Sequence, residues 1–377
     1  MVAAVCPQTA FLWPMVLIIE ILVILWGYGM KLRYWSWVAI FIAGFLLYVQ
    51  RAIVEEKEFR ASPWKRNARQ VDKPFGSDSV LLRQIKRDLS RRVGLGLSAS
   101  PWITSLNRAI LLGERGRLDP ALKKVFVESG TIHVFAISGL HVMIVARMLA
   151  TFMAFLLVPS RWSGLLAMPL LWLYVMVIGM PPSAVRAALM ATMYFSAPLF
   201  YRRPDGLNAW GCAFMIMHAI QPRLIIDVGS ELSFMVMLSL ILAGRAFHYE
   251  GWRQTLWMSF AAWAGGAPIA AWAFERITPG GLLANLVLLG TAAYSVMMGT
   301  AGILTSFVSD KLAEHFNNLS GIFTDAMVAI SETVSRLPFA NFEITGLSGG
   351  EVIAIYAVLG VVIAVASRFE LRSQEPF

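Results

Sequence analysis

Charge is scarce in this chain: Asp, Glu, Lys and Arg make up 15% of 377 residues. An ordinary soluble domain carries about 25%, so a soluble globular enzyme is a poor reading from the outset. Cysteine is scarcer still, limited to Cys6 and Cys212. Two distant cysteines make neither a Cys-x-x-Cys redox motif nor a disulfide framework, and each reads as a small apolar residue. The five histidines, at 133, 141, 218, 248 and 315, form no His-rich metal cluster. Segments of alternating polarity, the mark of barrel strands, do not dominate anywhere. The first apolar stretch lacks a basic leader and a small-residue cleavage site, which makes it a retained helix rather than a signal peptide.

What the chain has in abundance is apolar sequence, at 58% with a mean hydropathy of +0.65. Runs close to twenty residues long with few charges are enough to cross about 30 Å of hydrocarbon as helices. They fall near 11–30, 34–53, 133–158, 163–180, 183–201, 207–221, 230–247, 255–274, 281–307 and 350–367. The expected fold is an all-α polytopic membrane protein with roughly 9–11 spans, some broken or re-entrant. Residues 320–337 are amphipathic and are expected at an interface or against the bundle. Four segments organise the chain: a two-helix hairpin over 1–54, a polar insert over 55–131, a membrane core over 132–310, and an amphipathic segment with a last span over 311–377.

The insert holds the basic charge. Residues 51–131 carry 17 Lys/Arg against 9 Asp/Glu, a balance of +8 within a chain total of +9. Leu81, Ile85, Leu89 and Val93 recur every four residues and predict one apolar helical face, with Arg83, Lys86, Arg87, Arg91 and Arg92 over the remainder. Such a helix suits an anionic membrane surface or a nucleic acid. Ser100-Pro101 and Asp119-Pro120 predict two further helix starts, and Gly130 a helix end. With the insert outside, Lys31, Arg33, Arg161, Arg202, Arg203, Arg245 and Arg253 fall in cytoplasmic loops, which follows the positive-inside rule. The insert's own basic residues pull the other way.

Three segments carry a resemblance. The first is Leu111-Leu112-Gly113-Glu114-Arg115, then Gly130-Thr131-Ile132-His133-Val134-Phe135-Ala136-Ile137-Ser138-Gly139-Leu140-His141. The second contains Ser183-Ala184-Val185-Arg186-Ala187. The third runs through Pro222, Asp227-Val228-Gly229, Leu232-Ser233-Phe234, Ala267-Pro268 and Leu283-Ala284-Asn285. In this order they resemble the ComEC family of bacterial competence DNA channels over roughly residues 105–290. The resemblance implies an inner-membrane, multi-pass channel that passes single-stranded DNA into the cytoplasm during natural transformation. It implies no cofactor and no catalysis by this chain. Membrane lipids are expected partners, together with a separate nuclease, DNA receptor or cytoplasmic motor. Many family members carry an OB-fold-like domain after the second span and a metallo-β-lactamase-like domain with a His-x-His-x-Asp-His cluster; neither is expected here. Ser230-Glu231 stands where the family commonly has an aromatic residue and a glutamine.

The candidate substrate path comprises His133, Ser138, Gly139, His141, Arg186, Asp227, Ser233 and Asn285. Candidate helix breaks are Pro181, Pro182, Gly265, Gly266 and Pro268, with simple tight packing the other reading of the Gly265-Gly266 pair. His133, Ser138 and His141 admit three readings: polar packing at a helix break, pore lining, or a hydroxyl–imidazole nucleophile. No nearby carboxylate orients either histidine, and eight residues of unbroken helix would hold them about 12 Å apart, too far to share a zinc ion. Arg186 is either a pore residue facing phosphate or half of an ion pair with Asp227 or Glu231. Beside the DNA channel stand a small-molecule or lipid transporter on the same fold and, further off, an intramembrane hydrolase using Ser138.

Overall fold

The computed structural model describes residues 80–360, apart from 98–99, 115–118, 135–137, 222–223, 225–226, 247–248, 339 and 345. The expected spans at 11–30 and 34–53, residues 55–79 of the insert, and 361–367 of the last span lie outside the described residues. Described strand structure amounts to β1 (Arg276–Ile277) and β2 (Phe342–Glu343), paired antiparallel with Arg276 opposite Glu343. Everything else regular is helical, and the chain is an all-α membrane protein. Three stretches are long and apolar enough to cross a membrane: Val228–Ala246, Gly280–Thr305 and Ile132–Phe155, the last counted across residues 135–137, which are not described. Trp162–Val177, Gly206–Ile220 and Gly349–Gly360 are shorter apolar helices.

The described residues fall into two compact units, each drawn from two separated stretches of chain. The first takes residues 80–214 and 278–341. It holds α1 (Val80–Val93), α2 (Pro101–Leu112), α3 (Pro120–Glu128), α4 (Gly139–Phe155), α5 (Ser160–Val177) and α6 (Pro182–Ser196), followed later in the chain by α10 (Gly280–Thr305) and α11 (Asp310–Ser335). The second takes residues 215–277 and 342–360. It holds α8 (Val228–Ala246), α9 (Trp252–Phe274) and α12 (Gly349–Gly360). The helix α7 (Gly206–Ile220) contributes residues to both.

Local chemistry explains the boundaries in the insert. Asp119 caps α3 by accepting the Ala121 N–H at 2.9 Å, with Pro120 at the first helical position. Gly130 ends it with φ +74°, and the Thr131 N–H returns to the Phe126 carbonyl at 2.9 Å while Gly130 N–H reaches Val127 O. This is a Schellman closure, which needs a left-handed residue that glycine supplies without strain. Pro101 opens α2, but the Ser100 side chain makes no capping bond. On α1, Val93 is fully buried while Leu81 is 64% exposed. The inward face therefore runs through Ile85, Leu89 and Val93, and Leu81 departs from the expected stripe.

The helices at 101–112 and 120–128 are not a solvated appendage. Leu106, Asn107, Ala109, Ile110, Leu111 and Leu112 of α2 are all buried, and α2 and α3 pack against α11 within the first unit. The amphipathic segment expected from residue 320 begins ten residues earlier, at Asp310. It packs lengthwise and antiparallel against α10, with Asn317 beside Gly302 and Val334 beside Ala284. Its inward stripe, Asn317, Ser320, Thr324 and Ser331, is polar and buried. Each member has partners: Ser295 and Thr324 hydroxyls at 2.8 Å, Thr324 Oγ1 to Asn107 Oδ1 at 2.6 Å, Thr131 and Ser331 at 3.0 Å. In an apolar medium a buried hydroxyl without a partner is costly, so these bonds fix which helix faces meet.

The expected break at 180–182 exists as a chain reversal. Gly179 and Met180 adopt positive φ, and Pro182 opens α6. Helices α5 and α6 then run back antiparallel, joined by Trp172 Nε1–H to Thr192 Oγ1 at 3.1 Å, with Gly164 against Phe195. At Gly265, Gly266 and Pro268, where the sequence allows a second break or tight packing, the helix is not broken. Helix α9 runs unbroken from Trp252 to Phe274, with Pro268 inside it. The glycines serve close approach to α8 instead. A Cβ on Gly265 would lie 2.7 Å from Ser239 Cβ, and one on Gly266 3.1 Å from Val236. Tyr356 of α12 is buried and donates its hydroxyl to the Gly265 carbonyl at 2.7 Å, one turn before Pro268. Helix α12 opens with a reciprocal cap, Ser348 N–H to Glu351 Oε2 at 2.7 Å and Glu351 N–H to Ser348 Oγ at 3.3 Å.

Candidate functional site

The His133–His141 stretch is not one continuous helix. Ile132–Val134 forms a 3-10 turn and α4 begins at Gly139. That break changes the two histidines' roles. His141 sits in the first turn of α4, 1% exposed, and its Nδ1 accepts the backbone N–H of Ser138 at 3.3 Å. The ring thus caps its own helix, and the neutral form carries its proton on Nε2. His133 is exposed, and its Nδ1–H donates to the Gly130 carbonyl at 3.1 Å.

Gly130 is wedged against the start of α10. A Cβ there would meet Thr278 at 2.6–2.7 Å, and Gly281 Cα at 3.4 Å. No other residue type accommodates both that contact and the positive φ. One turn beyond Gly281 on the same helical face stands Asn285, beside the His133 ring. The Asn285 Oδ1 is buried without a hydrogen-bond partner. The two chain segments that carry the His133 and Asn285 motifs therefore converge on one spot. Gly139 packs on α6, where a Cβ would contact Ala187 at 3.6 Å, and next to Ala187 is Arg186, only 5% exposed. His133, Ser138, Gly139, His141, Arg186 and Asn285 all belong to the first unit.

Asp227 and Ser233 belong to the second. Asp227 caps α8, its Oδ2 accepting the Ser230 N–H at 2.8 Å. Ser233 lies half-buried one turn further on, and Glu231 follows Asp227 on the same face. The Ser230 hydroxyl is buried with no partner. Among the described residues, no group of three or more His, Cys, Asp or Glu side chains is placed to hold a metal ion. Pro222 and His248 lie outside the described residues.

Sequence reasoning passed over three features. The Gly130–Thr278–Gly281 contact had only the glycines as a signal. The buried polar stripe of α11 had one, the spacing of Asn317, Ser320, Thr324 and Ser331 on one face. Gly346-Leu347-Ser348-Gly349-Gly350 spells a nucleophile-elbow pattern, yet the Ser348 hydroxyl is spent on Glu351 Oε2 at 2.8 Å, and the two-residue strand β2 ends five residues before it.

A helical membrane protein whose motif residues gather where a broken helix meets a glycine-packed one is the class defined by this geometry. Residues 110–369 match the pattern of the Competence protein family, and the chain belongs to that family. It is 28% identical over 219 residues to ComE operon protein 3 of Bacillus subtilis, covering 57% of this chain and 28% of that protein. It is 33% identical over 163 residues to Competence protein ComA of Neisseria gonorrhoeae, covering 40% of this chain and 23% of that one. An uncharacterized protein of Aquifex aeolicus shares 28% identity over 207 residues, 54% of this chain and 49% of its own length. The matched stretches thus span at most about half of these relatives. No solved structure matches this chain.

Proposed function

We propose that this chain is the membrane core of a DNA-uptake channel, seated as a multi-pass protein in the bacterial inner membrane. It passes single-stranded DNA toward the cytoplasm during natural transformation. It performs no chemistry of its own, and a nuclease, a DNA receptor or a cytoplasmic motor acts as a separate chain. The observation that carries this reading is the convergence of His133 and Asn285 on the Gly130–Gly281 contact. An exposed imidazole beside a polar amide side chain offers hydrogen bonds to a passing polar chain without holding it by charge. Arg186, near the same break, adds a cation in apolar surroundings, where an anionic cargo is attracted more strongly than in water. The family and one relative bear competence names, which supports uptake of DNA over a small-molecule or lipid cargo.

The test is transformation in a strain of the source organism lacking this gene, complemented with wild type, Asn285→Ala, His133→Ala, Arg186→Gln and Arg186→Lys. Uptake should fall at least about tenfold in Asn285→Ala, His133→Ala and Arg186→Gln at equal membrane abundance, as loss of roughly 1.4 kcal/mol of path stabilisation would produce. Lysine at 186 should recover part of it, because a phosphate also accepts a point charge. Normal transformation in the deletion strain would refute the reading and leave the transporter alternative.

A further inference from the structure

Helix α1 has two unlike faces. Toward the protein, Ser90 and Val93 are buried and Ile85 and Leu89 half-buried. Outward stand Arg83, Arg87 and Arg91, all exposed and spaced four residues apart, so they form one stripe. Ahead of them are Val80 and Leu81, each 64% exposed. A helix that shows water both an arginine stripe and bare aliphatic side chains is not finished by the fold alone.

Its last turn is fastened in place. Arg92 Nη1 donates to the Ser306 carbonyl at 2.9 Å and its hydroxyl at 3.0 Å, and the guanidinium lies 4.2 Å from the Phe307 ring centroid. Asn317 Nδ2 donates to the Arg92 and Leu95 carbonyls at 2.8 and 3.1 Å. Ser306 is the C-cap of α10, one of the helices long and apolar enough to cross a membrane. The anchor of α1 therefore sits at the end of a helix fit to span a membrane, where hydrocarbon would give way to headgroups. The turn after that span is apolar too: Phe307 is 65% and Val308 87% exposed. A turn in bulk water is ordinarily polar, whereas one at the acyl boundary is not.

We propose that α1 is a headgroup-docking helix that binds the anionic phospholipids of the membrane around the protein. The arginine forks take lipid phosphates, while Val80, Leu81, Phe307 and Val308 enter the acyl boundary beside them. Asp88 tempers the stripe by pairing with Arg91 at 3.1 Å and Arg92 at 2.8 Å. A nucleic-acid strand would neutralise the same arginines but would leave those four apolar side chains in water, which favours lipid. This inference does not rest on the DNA-channel reading.

The full-length protein is reconstituted in nanodiscs of phosphatidylcholine alone or mixed with phosphatidylglycerol, and hydrogen exchange is followed in peptides covering residues 80–93. Exchange should slow severalfold in the anionic discs, and raised salt should remove much of the difference. The triple variant Arg83→Gln/Arg87→Gln/Arg91→Gln should lose it, with α10 peptides unchanged as the folding control. Should that variant not fold, the wild-type comparison between the two lipids decides alone. Equal exchange in both lipids overturns the proposal. So does protection by a single-stranded oligonucleotide in phosphatidylcholine discs with none from phosphatidylglycerol, which would assign the stripe to nucleic acid.

Discussion

Replacing Gly130 with alanine separates backbone strain from steric conflict at the heart of the site. Gly130 has φ +74° and Gly179 has φ +92°. Around Gly179 nothing lies within 4 Å of an added Cβ, whereas at Gly130 the new methyl would sit 2.6 Å from Thr278 Oγ1 and 2.7 Å from Thr278 Cβ. Left-handed backbone costs an L-residue roughly 1–2 kcal/mol. The narrower unfolded ensemble of alanine returns about 0.4–1 kcal/mol. Gly179→Ala should therefore destabilise by about 1 kcal/mol. Gly130→Ala carries the same backbone cost plus about 1–3 kcal/mol of overpacking, about 2–4 kcal/mol in all. The assay is reversible unfolding of the purified protein in one detergent, compared with the double variant Gly130→Ala/Thr278→Gly. The double variant should recover the steric part and retain the backbone part. Transformation should fall further in Gly130→Ala than in Gly179→Ala, because the Gly130 carbonyl orients the His133 ring. If the two single variants are equally stable, the close approach of Gly130 to Thr278 is not what holds this corner, and the site geometry argued from it fails.

Two further outcomes follow from the same kind of contact. Gly265→Ala should cost about 1–3 kcal/mol, since its Cβ would meet Ser239 Cβ at 2.7 Å. Gly290→Ala, with open space around it, should be neutral or stabilise α10 by about 0.5–1 kcal/mol through helix propensity; the same unfolding assay ranks them, and a reversed order refutes the packing. At α1, the Arg92 hydrogen bond and the neighbouring Arg92 and Arg91 charges hold the Asp88 carboxyl below its ordinary range. A depressed carboxyl contributes stability that is present above its unfolded value, about pH 3.9, and lost as pH falls through the folded value. A nitroxide at position 84 should keep constant mobility from neutral pH to about pH 5 and loosen only below about pH 4. Asp88→Asn should abolish that dependence, and a wild-type signal unchanged in acid would refute it.

The sequence by itself determined the class and the family. Apolar length and helix-end signals are local: each helix closes its own backbone hydrogen bonds, so Asp119-Pro120, Gly130 and Pro182 mark ends that need no knowledge of neighbours. The His133–His141 and Leu283–Asn285 strings are contiguous, which makes the resemblance readable in one dimension. Tertiary structure decided what contiguity cannot. Glycine both interrupts helices and lets them touch, so Gly265-Gly266 with Pro268 allowed either a break or tight packing, and Ser239 and Val236 against the glycines make it packing. Leu81 and Leu82 are equally apolar neighbours, and only the docking of Arg92 at Ser306 selects which face of α1 turns inward. The polar stripe of α11 is visible as a spacing, but its meaning depends on Asn107, Thr131 and Ser295, far away in sequence. Convergence of His133 with Asn285 has the same origin, because the cost of burying polar groups is met by whichever partners the folded chain brings within about 3 Å.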